Sequence, residues 1–363
     1  MQLLRLPYIV KKAILDHLSF NQMLFLSLCS KNTKNFIIRT QRCQFERIQQ
    51  VTYLIYDETI AITVIIDDET CPSLVMYVIR SETDFPKFKL SNQNYLIEEV
   101  RVNEFGVPFL FLRCSSHQTE LHAKYRPDNM ESTLDAIHDR LYDLLGKYTS
   151  FELKNVSDDT PAIPMLRNIQ KLGLIGDCFD SKQVDEFTFR SSCLEYLEWI
   201  GSRDQKIEFT ENSKVYEIDT VYISYQTLAK NALKYFKGRH IFLADSIINT
   251  TDVIQFLNAW KSGEKFRNLE VISIKGYFDI ATIKYSFQFK EVNTEVVYSF
   301  VRKFRKRELS FPSNYPWEFI SDLYMVRESD GHVASVILQD HLFVMGVWNM
   351  KEEEFLEKFQ LHI

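Results

Sequence analysis

Apolar residues recur at helical spacing over residues 4 to 40, give way to strand-like runs, and alternate between the two regimes towards the C-terminus. In the first stretch Ile9, Val10, Ala13, Ile14 and Leu18 follow at spacings of one, three and four behind Pro7, a residue that a first helical turn tolerates. This helix is expected to end near Ser19. Asn21 is the expected cap of a second helix carrying Met23, Leu24, Phe25, Leu26, Leu28 and Cys29, and Ser30 that of a third with Phe36 and Ile37 among Lys31, Lys34 and Arg39. The second helix is apolar on more than one face, so it must be covered on both sides. A unit of about 40 residues is too small for a self-sufficient core, so either a partner or the rest of the chain supplies that cover.

From residue 50 the pattern changes. Thr52 to Tyr56, Ile60 to Ile66, Leu74 to Ile79 and Phe109 to Arg113 are β-branched and aromatic, with turn-like acidic residues between the first three, which predicts an antiparallel sheet. An amphipathic helix over 130–147, capped by Ser132 or Asp128, presents Leu134, Ile137, Leu141, Leu144 and Leu145 on one side. Over 165–276, strand-length segments at Ile169 to Ile175, Leu194 to Ile200, Val215 to Ile223, His240 to Leu243 and Leu269 to Ile274 recur at the spacing of leucine-rich repeats. A helix over 251–261, capped by Thr250 or Thr251 and stopped by Gly263, carries Val253, Phe256, Leu257 and Trp260 at i, i+3, i+4 and i+7. Asp330-Gly331 and Asp340 mark the turns of a terminal meander, and Glu352 to Glu354 open a last helix.

The expected domains are therefore 1–45, 46–150, 151–290 and 291–363. The fold class is mixed α+β and α/β: a three-helix N-terminal unit, an antiparallel β region with a closing helix, an irregular leucine-rich-repeat-like α/β stack, and a C-terminal β-meander with a helix. If the stack curves, its edge or concave face is the candidate binding surface.

With 363 residues, 45% hydrophobic and 25% charged, the chain can bury a sizeable core, which excludes wholesale disorder. A net charge of −6 argues against a dedicated nucleic-acid binder. The run from Met1 to Lys12, broken by Arg5 and Pro7, matches neither a signal peptide nor a membrane span. The six scattered cysteines suit a reduced compartment, cytoplasm or nucleus.

Chemistry-bearing motifs are few. The chain has no phosphate loop, dinucleotide fingerprint, nucleophile elbow or CxxC pair, and no cofactor or metal is expected. Cys114, His117 and His122 lack the second paired ligand of a structural zinc site, and Asp67, Asp68 and Glu69 read better as a solvated turn. Arg302, Lys303, Arg305, Lys306 and Arg307 form a basic cluster that reads either as an address or acidic-partner patch, or as a solvated face.

The run Leu6-Pro7-Tyr8-Ile9-Val10-Lys11-Lys12-Ala13-Ile14-Leu15-Asp16-His17-Leu18, followed by Leu24-Phe25-Leu26-Ser27-Leu28-Cys29-Ser30-Lys31, resembles an F-box. The tryptophan common shortly after that cysteine is replaced by Asn32-Thr33, as in the divergent F-boxes of large nematode families. Phe236-Lys237-Gly238, His240 to Leu243, Phe256-Leu257-Asn258-Ala259-Trp260-Lys261-Ser262-Gly263 and Asn268-Leu269-Glu270 look like the second type of F-box-associated domain. Arg327 to Val336 and Val347-Trp348 resemble the terminal strands of such proteins.

The resemblance implies a non-catalytic substrate receptor of a cullin-based ubiquitin ligase. Its F-box would bind a Skp-type adaptor, which links it to the cullin scaffold, while the body holds an unknown protein substrate; nucleic acid and membrane are not expected partners. The adaptor contacts it implies are Leu6, Pro7, Ile9, Val10, Ile14, Leu15, Leu18, Leu24, Leu28 and Cys29, some of which must be the chain's own core. The alternative is a repeat-type interaction module whose N-terminal helices only cap the stack. The two readings separate at Leu6, Ile14 and Leu18, which a cap would turn inward.

Overall fold

In a computed structural model of the chain, which describes residues 5–56, 59–67, 72–80, 96–101, 108–113, 119–125, 129–156, 163–177, 179–201, 209–224, 226–244, 247–299 and 318–360, the N-terminal apolar pattern folds as α1 (Tyr8–Asp16), α2 (Phe20–Cys29), α3 (Lys31–Thr40) and the short α4 (Arg42–Phe45). Pro7 precedes α1 as its cap instead of entering the first turn. Ser19, and not Asn21, stands before α2, because a serine followed three residues later by Gln22 can close on itself: Gln22 Oε1 accepts the Ser19 N–H at 3.1 Å. Ser30 stands before α3 as expected, without a side-chain cap bond.

The chain gathers into two compact units, 1–179 with 189–194 and 180–188 with 195–363. In the first, the helices are followed by β1 (Ile48–Tyr56), β2 (Thr59–Ile66), β3 (Ser73–Arg80), β4 (Leu96–Arg101), β5 (Pro108–Arg113), β6 (Thr119–Tyr125), α5 (Met130–Leu145), β7 (Ser150–Asn155) and β8 (Lys171–Ile175). β1, β2 and β3 pair antiparallel in order, as do β4, β5 and β6. The wholly antiparallel expectation fails where these two meanders meet, since β6 pairs with β3 in parallel. Alternation within a strand says which face is buried but not which strand lies alongside, so the return of the second meander by its last strand was not legible. β1 and β8 flank β7, both in parallel. Asn129 precedes α5 without a side-chain cap, Ser132 sits one turn inside, and Asp128 lies outside the described residues.

α5 buries Leu134, Ile137, Leu141, Leu144 and Leu145, the predicted stripe. His138 belongs to the same face, where its Nδ1 lies 2.8 Å from the hydroxyl of the buried Tyr53 of β1. On the opposite face of β1, Gln50 and Thr52 join Glu152 and Lys171 in a buried polar row. The Lys171 ammonium donates to Gln50 Oε1 at 2.8 Å, and the Gln50 amide and Thr52 hydroxyl donate to Glu152 Oε2 at 2.8 and 2.9 Å.

Burial lowers the His138 pKa to about 4, outweighing a backbone hydrogen bond with Arg167 that raises it. Between pH 6.5 and 4 the unfolded chain therefore binds a proton that the folded chain refuses, and stability falls as the pH falls through that window. At pH 5 the penalty should reach about 2 kcal/mol. Urea unfolding at pH 7 and pH 5 should show a loss larger by that amount in the native chain than in His138→Phe; equal losses would mean that His138 titrates normally.

The second unit contains most of α6 (Ser181–Arg190), then β9 (Tyr196–Ile200), β10 (Thr220–Ser224), α7 (Gln226–Tyr235), β11 (His240–Ala244), α8 (Thr250–Ser262), β12 (Val271–Lys275), α9 (Ile280–Ser286), β13 (Lys290–Ser299), β14 (Glu318–Val326), β15 (His332–Gln339), β16 (Leu342–Lys351) and α10 (Glu352–Gln360). β9 to β12 pair in parallel and in chain order; β16 then joins β12 antiparallel, followed outward by β15, β14 and β13. The segment expected as one strand from Val215 splits into a 3-10 turn at Lys214–Glu217 and β10, because Ser213 Oγ accepts the Val215 N–H at 3.2 Å and starts a turn. The cap of α8 is Asn249, not Thr250 or Thr251: its side chain accepts the Asp252 N–H and its own N–H reaches Asp252 Oδ2, each at 3.1 Å. Gly263 ends α8 in the left-handed region at φ 75°, and Gly331 turns β14 into β15 at φ 76°.

Strand alternation divides this sheet into two faces. Trp199, Ile223, Leu243, Ile274 and Phe343 share one, and α8 covers it, its Phe256 ring 6.1 Å from that of Phe343. The other carries Tyr196, Tyr222, Phe242, Val271 and Val344, and Tyr298 of β13 and Phe319 of β14 pack onto it, stacked on each other at 5.1 Å. Gly346 makes this approach possible, since a Cβ there would stand 2.6 Å from the Tyr298 ring. This face is thus filled by the chain's own meander, and Phe355 of α10 continues the cover on the same side, its ring 5.8 Å from that of Trp348.

Candidate adaptor-binding surface

α1 is held to the first unit by one buried side chain, Leu15, which is 0% exposed. Gln41 Nε2, buried at the end of α3, adds a hydrogen bond to Asp16 Oδ1 at 2.8 Å. At about 100° per residue, the face opposite Leu15 carries Ile9, Val10 and Ala13. All three are exposed, Ile9 at 79% and Val10 at 44%. Water normally faces the polar side of a helix, so an exposed aliphatic face is a candidate contact surface.

The ten residues singled out from sequence divide three ways. Pro7, Ile9, Val10 and Cys29 are exposed; Leu6, Ile14 and Leu18 are half-buried; Leu15, Leu24 and Leu28 are buried in the chain's own core. The last three stabilise the packing of the helices and offer a partner no surface in this conformation. α2 needs cover on both sides and obtains it within the first unit, from α5, β3 and β6. The Lys34 ammonium of α3 is anchored to Asp143 of α5 at 2.6 Å. The surplus apolar surface recognised in the sequence is therefore shared: the chain itself covers α2, and the outer face of α1 stays open.

Tyr8, seven residues before Leu15, falls on the same side of α1 as Leu15, towards α3. It is 58% exposed, and its ring stands edge-on to Phe36 of α3 at 6.0 Å. It was not among the ten residues read from the sequence, although it lies inside the unbroken run from Leu6 to Val10. Neighbouring atoms desolvate the Cys29 thiol and push its pKa up, which keeps the sulfur neutral.

Of the other candidates, His122 is buried in β6 with its ring 5.2 Å from that of Tyr77, while Cys114 and His117 lie outside the described residues. Asp67 pairs with Arg47 at 2.7 Å; Asp68, Glu69 and the basic cluster from Arg302 to Arg307 also lie outside them. Among the described residues no group of three His, Cys, Asp or Glu side chains is placed to hold a metal ion.

Residues 3–43 match the F-box domain. F-box domains bind Skp1-type adaptors in cullin complexes, and the proteins that carry them are generally non-catalytic substrate receptors. No curated protein and no solved structure matches the chain.

Proposed function

We propose that this chain is a substrate receptor of a cullin-based ubiquitin ligase, docking a Skp-type adaptor on the outer face of α1 and holding a protein substrate on its C-terminal body. The observation that carries the reading is the coincidence of the matched segment, 3–43, with an exposed aliphatic face made of Ile9, Val10 and Ala13. Pro7 and Cys29 extend the contact, and the half-buried Leu6, Ile14 and Leu18 form its rim. Ubiquitin chemistry would then reside in other subunits, in cytoplasm or nucleus.

The body supports the second half of the reading. Parallel strands stacked in chain order, with α7 and α8 between them, suit a repeat-like scaffold of the type-2 F-box-associated kind. The competing reading, helices that only cap an interaction module, is favoured by the half-burial of Leu6, Ile14 and Leu18, the positions a cap would turn inward. Co-expression of the full chain with a Skp-type adaptor separates the two. A one-to-one complex on gel filtration is expected; a folded chain that elutes alone would leave the cap reading standing.

A further inference from the structure

Resting on the receptor reading, the structure assigns a substrate-binding site: we propose that a basic ridge at the N-terminal edge of β11 and β12 binds an acidic peptide segment of the substrate. The sheet face itself is closed by Tyr298 and Phe319, which moves the search to the strand edges. There, two cavities of about 670 and about 390 Å³ share a wall made of Lys237, Arg267 and Asn268. Volumes of this order suit a few side chains of an extended ligand. The Asn268 amide donates to Lys237 O at 3.2 Å and ties together the two loops that carry the cations.

Charge decides the ligand. The smaller cavity is lined by Lys234, Lys237, Lys265 and Arg267 against Glu264 alone, on a chain whose net charge is −6. In the larger one the carboxylates are already engaged, Glu217 in part by Lys237 itself, so Arg267 and Lys265 carry most of the free charge. Arg239 reaches Asp219 at 3.3 Å and Glu270 at 2.5 Å, and Glu217 is shared by Lys214 at 2.6 Å and Lys237 at 3.4 Å. Arg267 spends its Nε on Gly263 O at 3.0 Å, leaving both Nη groups to a ligand, in the fork geometry that fits a carboxylate.

Helix dipoles account for cations in a last turn, such as Lys234 and Lys261, but Lys237, Lys265 and Arg267 lie beyond the helix ends. Trp348, half-buried in the wall of the larger cavity, offers an apolar surface beside the ridge. The ligand that fits is thus a peptide with carboxylates next to an aromatic or aliphatic side chain.

The test is fluorescence anisotropy with the full chain and two labelled degenerate peptide pools of about twelve residues, each with a central phenylalanine, one flanked by Asp and Glu, the other by Asn and Gln. The acidic pool should bind at least about tenfold more tightly, and Lys237→Glu with Arg267→Glu should remove that preference. These side chains are exposed, and the milder Lys237→Gln with Arg267→Gln, checked by circular dichroism, keeps the test valid if the reversal disturbs folding. Equal binding of both pools, no binding of either, or an unchanged preference in the variants would overturn the site. Tighter binding of a uridine oligonucleotide of similar length would overturn it in favour of nucleic acid. Since the ridge belongs to the second unit and α1 to the first, adaptor capture by the same preparation shows whether the site or the receptor reading has failed.

Discussion

Replacing Ile9 and Val10 together by aspartate is expected to weaken capture of a Skp-type adaptor by about a hundredfold or more while leaving the chain folded. Each aliphatic side chain buried at an interface contributes about 1.5–3 kcal/mol, and a carboxylate in its place must also be desolvated. The fold tolerates the change because these side chains are 79% and 44% exposed. Gel filtration with the adaptor and a thermal melt of the variant alone check both halves. Retained capture would remove the α1 face from the interface. Leu15 is the wrong position for such a test, since a charge at a 0% exposed site would unfold the helix and abolish binding trivially.

Trp260→Ala should cost the second unit about 3–5 kcal/mol, the range for losing a fully buried large aromatic side chain. Trp260 is 0% exposed at the inner stripe of α8, with Val253, Phe256 and Leu257 buried beside it. Its ring also receives the guanidinium of the buried Arg327 at 5.2 Å, a cation held by Asp330 at 2.8 Å. Truncation therefore leaves both a cavity and a less satisfied charge. Urea unfolding should show the loss in Trp260→Ala, about half of it or less in Trp260→Phe, and almost none in the exposed-face control Asn258→Ala. A loss below about 1 kcal/mol would place Trp260 outside the core and reopen its reading as a binding residue.

Much of this molecule was legible in order. Period-3.6 and period-2 patterns located α2, α5 and α8 and most strands, because those periods are imposed by local geometry and each element buries one side. Gly263 and Asp330-Gly331 were legible for the same local reason: a positive φ at these places selects glycine. Caps were misplaced by one or two residues at Ser19 and Asn249, where several polar residues compete and the reciprocal bond from Gln22 or Asp252 decides.

The sequence by itself determined that an F-box-like helical unit precedes a mixed α/β body, and that the unit carries more apolar surface than it can bury. Tertiary structure alone decided which of those residues remain free. Leu15 and Ile9 are equally apolar and lie on the same helix, but only the docking of α1 makes one of them core and the other surface. It also decided that β6 returns parallel to β3, that the meander closes one face of the strands of the second unit, and that Lys237 and Arg267, thirty residues apart, share one ridge. The physical reason is common to all three: periodicity and caps are interactions within a few residues, whereas strand neighbours, face closure and cavity walls are contacts between segments whose separation along the chain leaves no mark on local pattern.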